Sequence, residues 1–289
     1  MSSSVPALDQ AAHYRHPSDT LFGRVLPRLL HASGWTRLRR ALARRWPMPA
    51  LTSDACEVIY LSWWVDLRHA PAPPPGHHFI SVDGRTPYTI LSYRHRHFGP
   101  ALPGPLRALL PSPRQSNWRW YLRRDDDAGG ATVVLFDRNV MDQLAYVAGA
   151  RACSDAMQPH LALHFEHAVH GNGDGCTRID GGQGSAPALH VQWQAAAGWL
   201  DEDWAAAFGG RAALLRLLTC QDQALACTAD GRWASTRIEL PVALDQLQPL
   251  RVSAPLYCPR LQALGVQDQT PLAMRLPQVP FRVVSERLL

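Results

Sequence analysis

The sequence predicts an α+β protein in which an antiparallel sheet, curled or closed on itself, carries a few helices between its strands. Three observations lead to this class. Hydrophobic residues make up 46% of the 289-residue chain and charged residues 18%, a balance typical of a globular protein with a large core. Segments with strand periodicity recur along the chain, separated by turn-forming residues. Segments with the period of a helix are fewer, which favours a sheet-based architecture.

The N-terminal segment, residues 1–46, is basic and predicts two amphipathic helices, over residues 21–30 and 35–46. Residues 1–50 carry a net charge of +6, whereas residues 51–289 carry −1. Such helices could lie on an anionic membrane surface or on nucleic acid. The simplest interpretation is that their apolar faces pack on the body, residues 47–289, and leave arginine in solvent. Because the body is nearly neutral, nucleic acid is not expected as a partner.

The first half of the body predicts strands joined by proline-rich loops. Residues 58–65 are apolar on both faces, as expected of a strand buried on both sides. Asp83-Gly84 predicts a tight turn before a second extended run, residues 88–97. Clean alternation predicts a strand over residues 117–123, and β-branched residues predict one over residues 132–136.

The clearest helix of the body follows directly. Asn139 and Asp142 resemble a capping box ahead of an apolar helical pattern, and the helix is expected to end near Met157, before Pro159. Further strands are predicted over residues 161–170, 177–179, 189–193, 236–240 and 279–284, with a helical segment at 201–218 that Gly209-Gly210 interrupts.

Four short segments of the sequence resemble those of a known protein family. They are YLSW at 60–63, SNWRWYL at 116–122, NVMD at 139–142 and VPFRV at 279–283. Through them, residues 47–289 resemble an uncharacterised bacterial branch, a domain of unknown function, of the acetoacetate decarboxylase-like superfamily. The resemblance implies an antiparallel cone-like β-barrel flanked by a few helices and enclosing a small-molecule pocket. A shared fold does not by itself imply a shared reaction.

The chain departs from the namesake enzymes in one decisive way. All 29 of its basic residues other than histidine are arginines, and it contains no lysine. Decarboxylation in those enzymes needs a pocket lysine whose amine acts on the substrate carbonyl. Acetoacetate decarboxylase activity is therefore excluded, and no catalytic residue is carried over from the family. The resemblance leaves a barrel pocket suited to a small acid.

The predicted strand at residues 117–123 supplies candidate binding residues. One face consists of Trp118, Trp120 and Leu122, and the other of Asn117, Arg119, Tyr121 and Arg123. If the polar row points into the barrel, Arg119 could bind a substrate carboxylate while Asn117 and Tyr121 orient it. If it points outward, it is a solvated face of the sheet. Only one of the two faces is expected to meet apolar core.

A histidine-rich run supplies the catalytic candidates. It contains His160, His164, Glu166, His167 and His170. On a helix, histidines three or four apart could bind zinc, whereas on a strand His164, Glu166 and His170 share one side. Pro159 and Gly171 favour the strand, and no standard metal motif is present, so no metal or other cofactor is expected. Glu166 with His164 remains a candidate general base, because burial raises the pKa of a glutamate towards neutral pH.

These observations predict a protein that binds a small organic acid. If it is an enzyme, the expected chemistry is proton transfer or a lyase reaction by Glu166, with Arg119 holding the acid. The alternative is a non-catalytic ligand-binding or membrane-peripheral protein that attaches through its N-terminal helices. Homo-oligomerisation is left open.

Location is predicted from what the sequence lacks. No stretch of eighteen apolar residues could span a bilayer, and the N-terminus has no apolar run typical of an export signal. The six cysteines include no C-x-x-C pair. A cytoplasmic protein with reduced thiols is therefore expected.

Overall fold

A computed structural model describes residues 12–45, 50–101, 104–126 and 132–289. The helices in these ranges are α1 (Leu21–Leu30), α2 (Ser33–Arg45), α3 (Leu144–Cys153), α4 (Glu202–Ala207), α5 (Arg211–Thr219) and α6 (Pro259–Ala263). The strands are β1 (Leu51–Asp66), β2 (His77–Phe79), β3 (Arg85–Pro100), β4 (Arg114–Arg124), β5 (Val133–Met141), β6 (His160–Leu161), β7 (His164–Val169), β8 (Gly175–Asp180), β9 (Leu189–Ala195), β10 (Gln223–Cys227), β11 (Trp233–Glu239), β12 (Gln248–Tyr257) and β13 (Leu272–Leu288).

Seven strands of the described chain close a β-barrel. Their order is β1-β3-β4-β5-β10-β11-β13, and β13 pairs back with β1. All neighbouring pairs are antiparallel except β5 and β10, which run parallel. The barrel is therefore mixed rather than wholly antiparallel. The predicted α+β class with a closed sheet is confirmed.

A second part of the sheet covers the outside of the barrel. From β13 the sheet continues through β12, β9, β8 and β7, and we call these four strands the wing. Trp193 of the wing packs in one hydrophobic cluster with Trp118 and Trp120 of β4. The tryptophan face of β4 thus lies between the barrel wall and the wing.

The barrel interior holds a separate hydrophobic cluster. Tyr60, Tyr121 and Met274 pack there with Leu214 and Leu218 of α5. Strand β4 is consequently buried on both faces, from residue 115 to residue 122. The expectation that only one face meets apolar core is wrong, because the wing adds a second layer that a single strand's periodicity does not reveal. The polar row of β4 points into the barrel.

The predicted cap of the body helix is also wrong. Helix α3 begins at Leu144, and Asn139 belongs to β5, where its Oδ1 accepts a hydrogen bond from Nε2 of Gln115 at 2.9 Å. Asp142 accepts from the backbone N–H of Arg114 at 2.9 Å. Both side chains are engaged by β4, which lies far away in sequence, so the local pattern resembled a capping box without forming one. The helix ends at Cys153 rather than near Met157.

The two N-terminal helices form as α1 and α2, but they pack differently from the expectation. Leu26 and Leu30 of α1 contact the body, whereas seven other large apolar side chains of the two helices are exposed. The predicted boundary between residues 46 and 47 lies outside the described residues. None of the helices in the described ranges is long and apolar enough to cross a bilayer.

Candidate functional site

The polar row of β4 borders a small cavity inside the barrel. Asn117 and Arg119 line this cavity together with Tyr60 of β1 and Tyr93 of β3. Most other lining side chains are apolar and come from β1, β3, β5, β11 and β13. The cavity volume is about 40 Å³, room for about three water molecules. A few polar groups in an apolar enclosure are typical of a small-molecule site.

A wider cleft adjoins the cavity on the outside of the barrel. Its volume is about 620 Å³. Ile238, Leu240 and Phe281 line both the cleft and the cavity, so these three apolar side chains form the boundary between the two spaces. Asp222 and Glu239 line the cleft but not the cavity.

Arg119 is the principal charged group of the cavity, and its side chain is buried. The residue is 3% exposed. Its Nη2 donates to the carbonyl oxygen of Leu218 at 2.9 Å, and its Nε donates to the hydroxyl of Tyr121 at 3.4 Å. The guanidinium carbon lies 5.8 Å from the ring centre of Tyr60 and 5.5 Å from that of Tyr121. None of the ion pairs in the described chain includes Arg119. A buried cation without a carboxylate partner is costly, so this site favours an anion.

A directional chain of hydrogen bonds supports the cavity from one side. The Ser53 hydroxyl lies 2.6 Å from Nδ1 of His95, and Nε2 of His95 lies 2.6 Å from Oε1 of Gln115. Because Oε1 can only accept, Nε2 carries the proton and Nδ1 accepts from Ser53. Nε2 of Gln115 donates to Oδ1 of Asn117 at 3.0 Å, and Nδ2 of Asn117 donates to the Tyr93 hydroxyl at 3.0 Å. This order leaves the proton of Tyr93 available to a group in the cavity.

The protonation states of the two lining phenols follow from their burial. Burial raises the pKa of both Tyr60 and Tyr93 well above the ordinary value, although the charge of Arg119 opposes the shift in each case. Both phenols therefore keep their protons at neutral pH. The cavity thus combines a fixed cation with two hydroxyl donors, an arrangement that matches the acceptor oxygens of a carboxylate.

Two buried histidines make the stability of the protein depend on pH. Burial lowers the pKa of His95 and that of His167 to about 4. Nε2 of His167 donates to the Glu57 carbonyl oxygen at 2.7 Å, a bond that opposes the lowering of the pKa without outweighing burial, and the Thr177 hydroxyl lies 2.8 Å from Nδ1. An unfolded histidine has a pKa of about 6.5, so the unfolded state binds more protons as the pH falls from about 6.5 to about 4, and stability is lost across this window.

We therefore expect the free energy of unfolding to decrease by about 2 kcal/mol per buried histidine between pH 7 and pH 5, as measured by urea unfolding. His167→Asn should remove about half of this decrease. His164→Asn, which changes an exposed histidine, should leave it intact. Equal stability of the wild-type protein at the two pH values would contradict the prediction.

The structure brings the three predicted binding residues together but separates them from the predicted catalytic pair. Asn117 and Arg119 line the cavity. Tyr121 lies behind Arg119, with its hydroxyl 2.8 Å from Oγ1 of Thr89 and 3.1 Å from the carbonyl oxygen of Leu218. Tyr121 therefore positions the arginine rather than lining the space.

The predicted general-base pair, Glu166 and His164, does not lie at the cavity. Both side chains are exposed on β7, on the face of the wing that points away from the barrel, while Phe165 and His167 are buried. The strand assignment was correct, but the shared side of His164 and Glu166 is the solvent side. Within the described ranges, no three histidine, cysteine or acidic side chains are arranged to hold a metal ion.

Sequence reasoning missed Tyr60, Tyr93 and His95. Tyr93 and His95 share the inward face of β3 with Leu91, so extending the alternation from Leu91 would have placed them in the barrel. The basic residues on either side of His95 are more typical of a solvated face than of a barrel interior. The sequence pattern did not indicate Tyr60 as a cavity-lining residue, because it lies in a strand whose two faces are both apolar.

Together, these features define a closed α+β barrel with a cation and hydroxyl donors at an interior cavity. No protein-family model matches the chain, and no curated protein matches its sequence. Solved structures match its fold.

Acetoacetate decarboxylase from Legionella pneumophila aligns at a TM-score of 0.50 and 12% identity, over 84% of this chain and 88% of its own. The enduracididine biosynthesis enzyme MppR has been solved with HEPES bound and with the condensation product of pyruvate and imidazole 4-carboxaldehyde. It gives the same TM-score and identity over 84% of this chain and 88% or 89% of its own. An acetoacetate decarboxylase-like enzyme from Sphingomonas wittichii gives 0.50 at 8% identity, over 83% and 93%. The chain therefore has the acetoacetate decarboxylase-like fold, which is the fold that the sequence resemblance implied.

Proposed function

We propose that this protein binds a small organic acid inside the barrel, with the carboxylate on Arg119. The observation that carries the proposal is the buried guanidinium of Arg119, which borders the cavity and has no carboxylate partner among the described residues. An anionic ligand supplies the missing counter-charge in a site of low polarity, where a charge-assisted hydrogen bond is strong. The small molecules bound by the similarly folded MppR, one of them derived from pyruvate, support a small-molecule role for this barrel.

The polar residues of the lining have different roles in binding the proposed ligand. Arg119 binds the carboxylate, and the Tyr60 and Tyr93 hydroxyls donate to its oxygens or to an adjacent carbonyl group. Asn117 holds the Tyr93 hydroxyl in place. Because the cavity is small, it accommodates the carboxylate end of the ligand. The remainder of a longer acid would pass between Ile238, Leu240 and Phe281 into the outer cleft.

The composition of the cavity limits the chemistry that it can support. Its lining, as formed by the described part of the chain, contains no carboxylate, cysteine or histidine, and the sequence contains no lysine. Schiff-base decarboxylation is therefore outside the proposed function. Any reaction here would depend on polarisation of a bound carbonyl by Arg119 and the phenols. We favour reversible binding, and we place the protein in the cytoplasm, the location expected from its sequence.

The proposal is tested by calorimetric titration with acetate, propionate and pyruvate, beside the neutral analogues acetamide and propionamide. We expect the carboxylates to bind at a single site and the amides to give no measurable heat. Tyr93→Phe should weaken carboxylate binding by about tenfold to a hundredfold, because it removes one hydrogen bond to a charged acceptor. Tyr257→Phe, at an exposed tyrosine of β12, is the matched control and should bind like the wild type.

Two outcomes would contradict this function. Equal binding of acids and amides would show that the charge of Arg119 plays no part in recognition. A wild-type protein that binds none of the three acids, while it remains folded, would remove the cavity as a site for small acids.

A further inference from the structure

Helix α2 is attached to the body through charge, whereas α1 contacts the body through Leu26 and Leu30. Nη2 of Arg39 lies 2.6 Å from Oδ1 of Asp155. The guanidinium of Arg40 binds Asp155 at 2.9 Å and Asp230 at 2.7 Å. The Arg39, Arg40 and Asp155 side chains are at most 15% exposed. The basic side of α2 therefore faces the body, the reverse of the packing usual for an amphipathic surface helix.

The seven other large apolar side chains of these helices face solvent. Between 40% and 74% of the surface of each is exposed. In α1 they are Leu21, Phe22, Val25 and Leu29, and in α2 they are Trp35, Leu38 and Leu42. Spacings of three and four residues place each set along one side of its helix. We call the two sets the apolar stripes. Exposed apolar surface of this extent marks a contact site.

Unpaired positive charge accompanies the apolar stripes. The segment from Thr20 to Arg45 contains seven arginines and no acidic residue. Four of the arginines are exposed and take part in none of the ion pairs within the described ranges: Arg28, Arg37, Arg44 and Arg45. On a helical wheel Arg28 adjoins Leu21 in α1, and Arg45 adjoins Leu38 in α2. The exposed sides of both helices therefore combine apolar residues with neighbouring cations.

We infer that the apolar stripes of α1 and α2 bind an anionic membrane surface. Apolar side chains enter the boundary between headgroups and acyl chains, while flanking arginines extend to the lipid phosphates. Trp35 suits this boundary because its ring is apolar and its N–H can reach a polar partner. The ion pairs of Arg39 and Arg40 hold α2 on the body in the orientation that leaves its stripe free.

The charges and apolar residues of this surface disfavour two other partners, a second copy of the chain and nucleic acid. A two-fold contact with a second copy would bring the exposed arginines of both chains together without any acidic residue of these helices to neutralise them. Nucleic acid would satisfy the arginines but would leave the seven apolar side chains in water. An anionic bilayer satisfies both the charged and the apolar groups.

The inference is tested by co-sedimentation of the full-length protein with vesicles of phosphatidylcholine and phosphatidylglycerol in equal amounts, beside vesicles of phosphatidylcholine alone. We expect binding to the anionic vesicles that weakens as salt is raised. The double variant Phe22→Ser/Leu38→Ser should partition about tenfold or more weakly. The matched control Tyr257→Ser/Leu200→Ser changes an aromatic residue and a leucine of similar exposure on the body, and should bind like the wild type. All four positions are exposed, so the variants are expected to fold.

Several results would overturn the inference. The first is a wild-type protein that does not sediment with anionic vesicles, and the second is equal binding to both kinds of vesicle. A dimer in solution that requires Phe22 and Leu38, without vesicle binding, would assign the stripes to a second copy. If the Phe22→Ser/Leu38→Ser variant bound vesicles as well as the wild type, the apolar stripes would not be the membrane-binding surface. None of these results bears on acid binding in the barrel, which calorimetry measures separately.

Discussion

Replacing Asp137 with alanine is expected to lower the free energy of unfolding by about 3–5 kcal/mol, the usual cost of breaking a buried ion pair from one side. The Asp137 side chain is 1% exposed. It accepts from Nε and Nη2 of Arg260 at 2.8 and 2.9 Å, from the Tyr88 hydroxyl at 2.8 Å and from Arg138 at 3.0 Å. Alanine would leave the largely buried Arg260 without its only carboxylate partner among the described residues.

The measurement is urea unfolding of the variant at neutral pH. Asp126→Ala removes an exposed aspartate that pairs with Arg124, and it should leave the unfolding midpoint almost unchanged. The double variant Asp137→Ala/Arg260→Met removes both charges and should recover part of the lost stability, because no buried charge is then left unpaired. If Asp137→Ala were no less stable than Asp126→Ala, the network would have no structural importance.

The ion pair also explains how α6 is held against the barrel. Asp137 lies in β5 and Arg260 in α6, 123 residues later in the chain. Burial alone would raise the pKa of Asp137, but the charges of Arg138 and Arg260 and the hydrogen bonds from Tyr88 and Arg260 hold it below its ordinary value. The carboxylate is therefore ionised wherever the protein is folded near neutral pH, and the pair remains charged.

Sequence periodicity predicted the strands well but could not assign their faces. The alternation of Trp118 and Trp120 with Arg119 correctly indicated a strand and two distinct faces. That both faces are buried depends on the wing, whose Trp193 reaches β4 from 73 residues away in the chain. A pattern of period two shows which residues share a side, but the side that faces solvent is decided by packing between distant segments.

The same limit explains the outcome at the candidate site. Arg119 was identified as a cation in the polar row of an alternating strand, and the fold places that row inside the barrel. Alternation along β7 likewise predicted correctly that Glu166 and His164 share one side of a strand. That strand belongs to the wing, however, and the shared side faces water. The series of hydrogen bonds from the Ser53 hydroxyl to the Tyr93 hydroxyl joins three strands, β1, β3 and β4. No local pattern could have revealed hydrogen bonds between residues that only the closed barrel brings together.

Arg119→Met is expected to change stability and acid binding in opposite directions. The ligand-free variant should be more stable than the wild type by about 1–4 kcal/mol, because it replaces a buried cation that has no carboxylate partner within the described ranges by an apolar side chain of similar length. The main hydrogen bonds around it survive the change: the Leu218 carbonyl oxygen keeps the Tyr121 hydroxyl as a donor.

Acid binding should weaken at the same time, by about tenfold to a hundredfold or more, because the charged hydrogen bond to the carboxylate is lost. Urea unfolding without ligand and calorimetry with acetate measure the two effects separately. Arg260→Met is the matched control at a buried arginine that does have a carboxylate partner; it should lower stability and leave acetate affinity unchanged in the folded protein. A destabilised Arg119→Met variant with undiminished acetate binding would show that Arg119 serves the fold alone. If stability rises while acetate affinity falls, Arg119 lowers the stability of the barrel and is needed to bind the anion.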